Sequence, residues 1–275
     1  MASTTPDYVF TRDYPDNNRM NLQHYQWIAL FGYLLHPAIP TDRANLRIAD
    51  VGTGTTVWLT ELASRLPDTV KLEGLDVSML AAPPAQWLPA NVTLRHWDIK
   101  EPVPSELLGA YDVVHVRNLA FVLRDSEVPA VLGRLVSLLR PGGALQWGEP
   151  DVSSFRIETV NAGVPTTALR SLLMLSQPQD DRLRPTWVPQ LPKLCRAAGL
   201  VAVEQDVRGA PPHLALAMHE CNLPIHELVA RKSKNKAVIE AIQDLMPQVK
   251  AETRRGACWA FTRWTVVGWK NSKDK

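Results

Sequence analysis

Three features of this 275-residue sequence predict an α/β fold, with a central, mostly parallel sheet and helices on both faces. The first is the short apolar run Arg47-Ile48-Ala49-Asp50-Val51, which breaks into the glycine turn Gly52-Thr53-Gly54 just ahead of a helical pattern. The second is a further strand-length segment, 71–76, that ends in the carboxylate of Asp76. The third is the alternation of strand-length and helix-length segments from 47 to 149, the rhythm of a parallel sheet joined by crossovers.

Ahead of the sheet, residues 18–35 have a helical pattern that sets Leu22, Tyr25, Ile28, Ala29 and Leu35 on related faces, and Pro37 and Pro40 should end it. Residues 1–45 therefore read as a helical cap or lid. The core, 46–151, follows as strand 47–52, helix 55–66, strand 71–76, strand 92–97, strand 111–116, helix 125–139 and strand 143–149. The segment Ala81-Ala82-Pro83-Pro84 through Pro89 is too rich in proline for a regular crossover helix. Beyond Asp151, the span 152–275 reads as acceptor-side insertions and final strands. It comprises a helical insertion at 168–177, a helix at 191–198 ended by Gly199, a strand at 201–207, a second helical insertion near 212–252 and final strands at 259–270. The whole of 1–275 is expected to form one domain.

The chemistry of the first turn is local. Gly52 and Gly54 can adopt φ > 0 and leave no side chain between backbone and ligand. The helix that follows points its first N–H groups at the same crevice, and Asp76 can accept hydrogen bonds from a ribose diol. The dinucleotide fingerprint needs a third glycine at 57, where this chain has Val57, which argues against NAD or FAD. S-adenosylmethionine has no pyrophosphate to cradle and suits the lighter pattern. The competing reading is a tight βα turn of no functional consequence.

Five motifs in order, Ala49-Asp50-Val51-Gly52-Thr53-Gly54, Leu75-Asp76-Val77-Ser78, His96-Trp97-Asp98-Ile99, Tyr111 through Arg117, and Leu139-Arg140-Pro141-Gly142-Gly143, resemble the class I S-adenosylmethionine-dependent methyltransferases. Asn21-Leu22-Gln23-His24 and Leu145-Gln146-Trp147-Gly148-Glu149 are similar to segments of the fungal methyltransferases of secondary metabolism. The resemblance implies a Rossmann-like fold with a seven-stranded sheet, S-adenosylmethionine as cofactor and S-adenosylhomocysteine as product. It further implies that Asp98 receives the adenine amino group, with Ile99 against the ring. The implied cofactor contacts are Tyr14, Arg19, Asp50, Gly52, Thr53, Gly54, Asp76, Val77, Asp98, Ile99, Arg117 and Asn118, with the segment holding Tyr14, Arg19 and His24 folding over the cofactor. Trp97 alternates away from Asp98 and reads as core. Arg117 reads equally as a ligand contact or as a salt-bridge partner of a nearby carboxylate.

Glu149 and His24 are the candidate catalytic bases, since a general base needs only to reach the proton it takes. Glu149 and Asp151 flank Pro150 near the expected acceptor, and Asp151 reads alternatively as a helix cap. Trp187, Leu173, Met174 and Met218 are candidate lining residues of an acceptor pocket suited to apolar or aromatic small molecules. The expected reaction is methyl transfer to O, N or S of a small secondary metabolite. The alternatives are a methyltransferase fold repurposed for cyclisation or isomerisation, and a non-catalytic regulatory partner.

A net charge of +2 with interspersed signs offers no basic stripe, so nucleic acid is disfavoured as a partner. Cys195, Cys221 and Cys258 are widely spaced and contain no Cys-x-x-Cys pair, so reduced thiols are expected. No metal is expected: the acidic pair at the fifth strand has no third partner, and His219-Glu220-Cys221 with His226 lacks the His-Glu-x-x-His spacing. No leader or membrane span is evident, which points to a cytoplasmic protein working on a small molecule without membrane or nucleic-acid partners. The sequence leaves oligomeric state open.

Overall fold

A computed structural model describes residues 11–272. Its main sheet has seven strands: β1 (Arg47–Val51), β2 (Lys71–Asp76), β3 (Val92–His96), β4 (Tyr111–Arg117), β5 (Leu139–Pro150), β7 (Leu200–Arg208) and β9 (Arg263–Lys270). Their order is β3-β2-β1-β4-β5-β9-β7, and β9 alone runs antiparallel to its two neighbours. A separate two-stranded sheet pairs β6 (Arg156–Thr159) with β8 (Ala257–Ala260). Strand order reverses between β1 and β4, so the connections leaving their carboxyl ends turn to opposite faces of the sheet and open the crevice in which such sheets bind ligands.

The helices are α1 (Tyr14–Phe31), α2 (Val57–Ala63), α3 (Val128–Leu138), α4 (Thr167–Ser176), α5 (Leu191–Ala197), α6 (Pro212–Lys232) and α7 (Lys236–Arg254). Alternation along β4 feeds two cores. Val114 and Val116 pack with Leu132 and Leu135 of α3 and Leu191 of α5, while Val113 packs with Trp58 and Leu59 of α2. Burial on both faces is why β1 and β4 are mostly apolar, with valine, isoleucine or alanine on both sides of each strand. A third core, built from α4, α6, α7 and Trp259 of β8, stands over the carboxyl end of the sheet.

Several boundaries differ from the sequence reading for identifiable reasons. α1 starts at Tyr14 behind an Asp13 cap and stops at Gly32, whose φ of +76° lets its N–H reach the Ile28 carbonyl; Pro37 and Pro40 lie beyond that stop. Its buried face is also not the predicted one. Leu22 and Tyr25 face solvent, while Arg19, His24, Gln26, Trp27, Leu30 and Phe31 turn inward. Polar groups fill that face because they line or support the crevice, so hydrophobic periodicity misassigns it. Residues 1–10 of the expected cap lie outside the described residues.

α2 is shorter than 55–66 because Thr56, at φ +62°, still belongs to the turn. The first of the predicted final strands leaves the main sheet and joins β6. The 212–252 insertion is two helices separated at Asn235, whose side chain accepts from the N–H groups of Ala237 and Val238. The proline-rich crossover is irregular, with two short 3-10 turns at Met79–Ala81 and Ala85–Trp87. Among the described residues no helix is long and apolar enough to cross a membrane.

Candidate active site

A cavity of about 430 Å³ opens at the carboxyl ends of β1, β4 and β5, roofed by α1, α4 and α6. Its sheet-side wall is the turn between β1 and α2. Gly52 sits at φ +73°, and a Cβ there would lie 3.3 Å from Leu119 Cδ2, so both conformation and space call for glycine. The Gly54 N–H donates to Asp76 Oδ2 and the Ser78 N–H to Asp76 Oδ1, each at 2.9 Å. Asp76 thus holds two turns in place and keeps a further lone pair on each oxygen for a ligand. Burial raises its pKa above the usual carboxylate range, against the pull of those two N–H groups. The Thr53 hydroxyl oxygen is buried with no hydrogen-bond partner among the described residues.

Asp50, at the end of β1, accepts from the His115 imidazole at 2.7 Å, and that ring stacks on Trp58 at 3.8 Å. Burial lowers the His115 pKa, leaving a neutral ring that orients the carboxylate. Val77, Asp98, Ile99 and Asn118 line the same wall. Asp98 Oδ1 receives the Lys100 N–H at 2.8 Å. Asn118 takes φ +63°, a left-handed conformation at the exit of β4, and its N–H donates to the Gly148 carbonyl. Trp97 is buried in the core as expected but also lines the cavity, and its indole N–H donates to the Pro102 carbonyl.

Arg117 lines the cavity and, among the described residues, has no carboxylate partner at ion-pair distance; its Nη2 donates to His24 Nδ1 at 2.9 Å and its guanidinium lies over Trp27. His24 Nδ1 must then be the acceptor, so Nε2 carries the proton and donates to Glu61 Oε2 at 2.6 Å. Burial holds His24 down to about 4 and Arg117 down to about 10. His24 is 0% exposed and does not line the cavity, so the structure gives it a supporting place behind Arg117 and not the reach of a base.

Glu149 also departs from its expected position. It is 0% exposed and off the cavity wall. Its Oε1 accepts from the Leu119 N–H at 2.7 Å and from Trp147 Nε1 at 2.6 Å, and its Oε2 from the Ala120 N–H at 2.9 Å. Burial pushes this carboxyl up to about 8, while its three donors and Arg117 favour the charged form. It pins the loop after β4 to β5. Asp151 caps the short turn Val152–Ser154, accepting from the Ser153 N–H and hydroxyl.

Tyr14, the first residue of α1, is 78% exposed and away from the cavity, because the helix starts four residues earlier than its hydrophobic pattern indicates. Arg19 does line the cavity, paired with Asp16 at 2.5 Å and donating to Gln23. Of the predicted acceptor residues, Leu173 and Met218 line the cavity. Trp187 packs edge-on against Trp147 in the core, and Met174 is 74% exposed on the outer face of α4.

The sequence reading missed Arg12, Phe121, Asn222, His226, Phe261 and Arg263, all on the cavity wall. None of them lies in the strand-end motifs: they come from the segment before α1, the loop after β4, α6 and the chain around the start of β9, and only the tertiary fold brings them together. His226, on α6, bonds Ser176 of α4 through Nδ1 at 2.7 Å, and burial holds it down to about 3, a neutral ring facing the apolar part of the cavity. Among the described residues no group of three or more His, Cys, Asp or Glu is placed to hold a metal.

Comparison with known proteins agrees with this geometry. A methyltransferase domain model matches residues 48–143, the segment that carries β1 to the start of β5. The N-methyltransferase tcpN of Claviceps purpurea is 30% identical over 220 residues, covering 76% of this chain and 74% of its own length. The N-methyltransferase gliN of Aspergillus fumigatus is 30% identical over 209 residues, covering 74% and 71%. In structure, an O-methyltransferase family protein from Burkholderia thailandensis superposes with a TM-score of 0.53 at 16% identity, over 96% of this chain and 60% of that one, a likeness of fold alone. With a matching domain model, two relatives aligned over most of their length and the glycine turn and Asp76 in place, the chain belongs to the class I S-adenosylmethionine-dependent methyltransferases.

Proposed function

We propose that this enzyme binds S-adenosylmethionine on the β1–α2 side of the cavity and transfers its methyl group to a nitrogen of a small, largely apolar secondary metabolite. The observation that carries the proposal is the continuity of the cavity. At one end it has the glycine turn and Asp76; at the other, Phe155, Leu173, Leu183, Met218, Ile225 and Trp259. Nitrogen is preferred to oxygen or sulfur because tcpN and gliN are both N-methyltransferases. The fit to the cofactor rests on two features of this chain: the space that Gly52 leaves, and the buried Thr53 hydroxyl, which lacks a partner among the described residues.

The cofactor supplies a sulfonium methyl that is already electrophilic. The work left to the protein is alignment and exclusion of water. Asp76 would accept the ribose hydroxyls, Asp98 the adenine amino group, and Ile99 would pack against the ring. Asp50, Thr53, Arg19 and the backbone of Gly52, Gly54, Val77, Arg117 and Asn118 complete that side. In the acceptor chamber His226 stays neutral and can orient the acceptor through a hydrogen bond. Three unpaired cysteines, all buried, suit a reducing cytoplasmic setting.

Calorimetric titration of the purified chain with S-adenosylmethionine, S-adenosylhomocysteine and NAD tests the cofactor. Binding of the two adenosyl compounds and not NAD is expected; failure of both to bind overturns the proposal. With the acceptor in hand, a product heavier by one methyl group separates transfer from cyclisation or isomerisation, which leaves mass unchanged.

A further inference from the structure

Arg19 and Arg117 on the cavity wall each have polar partners, in Asp16 and His24 respectively. Arg263 has a different environment. It is the first residue of β9, in register with Pro150 of β5, and is 8% exposed while lining the apolar end of the cavity. Among the described residues its one hydrogen bond runs from Nη1 to the Phe261 carbonyl at a long 3.4 Å, and its guanidinium lies 4.7 Å from the centre of the Phe261 ring. Among the described residues no carboxylate pairs with it. Burial holds its pKa down to about 10, with only the Cys221 side chain acting the other way. A buried cation left without a counter-charge is costly, and chains keep such a group where something else supplies the anion.

Two further donors share this wall. The Trp259 indole N–H is buried and has no partner among the described residues. The Asn222 amide oxygen already accepts from Gln23 at 2.9 Å, which leaves its NH2 as the available function. Phe155, Leu173, Leu183, Met218 and Ile225 make the rest of this end largely apolar, beside the neutral His226–Ser176 pair. A planar, bidentate oxyanion on an apolar body satisfies all of this at once, since a guanidinium matches a carboxylate in both shape and charge.

We propose that Arg263, with Trp259 and Asn222 beside it, is an acceptor-anchoring site that recognises a carboxylate carried by the methyl acceptor. The proposal rests on the methyltransferase reading above and adds the chemical class of the group by which the acceptor is held. The anchor fixes the acceptor's far end, so that its nucleophilic atom faces the cofactor side.

The test uses the full chain saturated with S-adenosylhomocysteine, titrated calorimetrically with benzoate and phenylacetate and with their neutral amides, benzamide and phenylacetamide. The carboxylates are expected to bind about tenfold or more tightly than the amides, the scale of a charge-assisted pair. R263Q should abolish that preference while S-adenosylhomocysteine affinity stays within twofold of wild type, and R263K should restore part of it. Equal binding of acids and amides to the wild-type enzyme overturns the proposal without recourse to any variant. So does carboxylate binding that persists in folded R263Q, or failure of every carboxylate to bind at millimolar concentration. A fall in S-adenosylhomocysteine affinity in R263Q with acid binding unchanged would assign Arg263 to the cofactor and refute the acceptor role. Failure of S-adenosylhomocysteine to bind the wild-type chain is a separate result that strikes the cofactor reading and leaves the acid-to-amide comparison to be read on the unliganded protein.

Discussion

Glu149→Gln separates a structural carboxylate from a catalytic base. Glutamine keeps the shape but offers one acceptor oxygen in place of two. With that oxygen at the position of Oε1, the Leu119 N–H and Trp147 Nε1 keep their partner, while the new NH2 group meets the Ala120 N–H donor to donor. An orphaned buried N–H costs about 1–3 kcal/mol, and the two remaining bonds lose charge assistance worth about 1 kcal/mol together. Relief from burying a charge returns part of this, for a net loss of about 1–3 kcal/mol out of a typical total of about 5–15. Urea unfolding followed by tryptophan fluorescence should show the midpoint falling by that equivalent. Turnover of the folded fraction at saturating cofactor should change by no more than roughly threefold. A general base would behave in the opposite way, with unchanged stability and turnover down by roughly 10²-fold or more. That second pattern would refute the positioning role argued here.

Other expectations follow from the same geometry. Asp76→Ala should weaken S-adenosylhomocysteine binding by about tenfold or more, because it removes the ribose acceptor and frees the Gly54 and Ser78 N–H groups; Glu149→Ala should alter that affinity less, and equal losses by calorimetry would contradict the assignment. Gly74→Ala places a methyl group 2.7 Å from Leu94 Cδ2 and 2.9 Å from Thr53 Cγ2, and should destabilise the enzyme by about 1–3 kcal/mol in urea titrations; a neutral effect would mean that β2 and the cofactor turn yield more easily than packing implies. His24 and His219, with pKa values lowered to about 4, should stay uncharged in the folded enzyme down to about pH 5. Since the unfolded chain takes up those protons near pH 6.5, each histidine makes folding less favourable as pH falls from 6.5 toward 4, by up to about 3–4 kcal/mol. Imidazole resonances of the folded protein that titrate near 6.5 would contradict this.

The centre of the sheet was legible in the sequence because β1 and β4 are buried on both faces. They are then mostly apolar, Asp50 and His115 being satisfied by each other, and the glycines at 52 and 54 mark a turn that local backbone sterics demand. Asp50, Asp76 and Asp98 were legible for the same reason, since each sits where a strand stops. α1 was less so. Its inward face carries Arg19, His24 and Gln26, which periodicity assigns to solvent, and its end depends on the left-handed Gly32 and not on the prolines beyond.

Local pattern fixes which backbone positions can cradle a cofactor, because a turn and its adjoining carboxylate lie within a few tens of residues. Tertiary structure alone decides what each polar side chain faces. It turns Glu149 onto three N–H donors, sets His24 behind Arg117, and gathers Arg263, Asn222 and His226 from β9 and α6 around one chamber. Residues so far apart in the chain carry no shared spacing. Their meeting is set by how α4, α6 and β8 pack over the sheet, a consequence of long-range burial that no window of sequence contains.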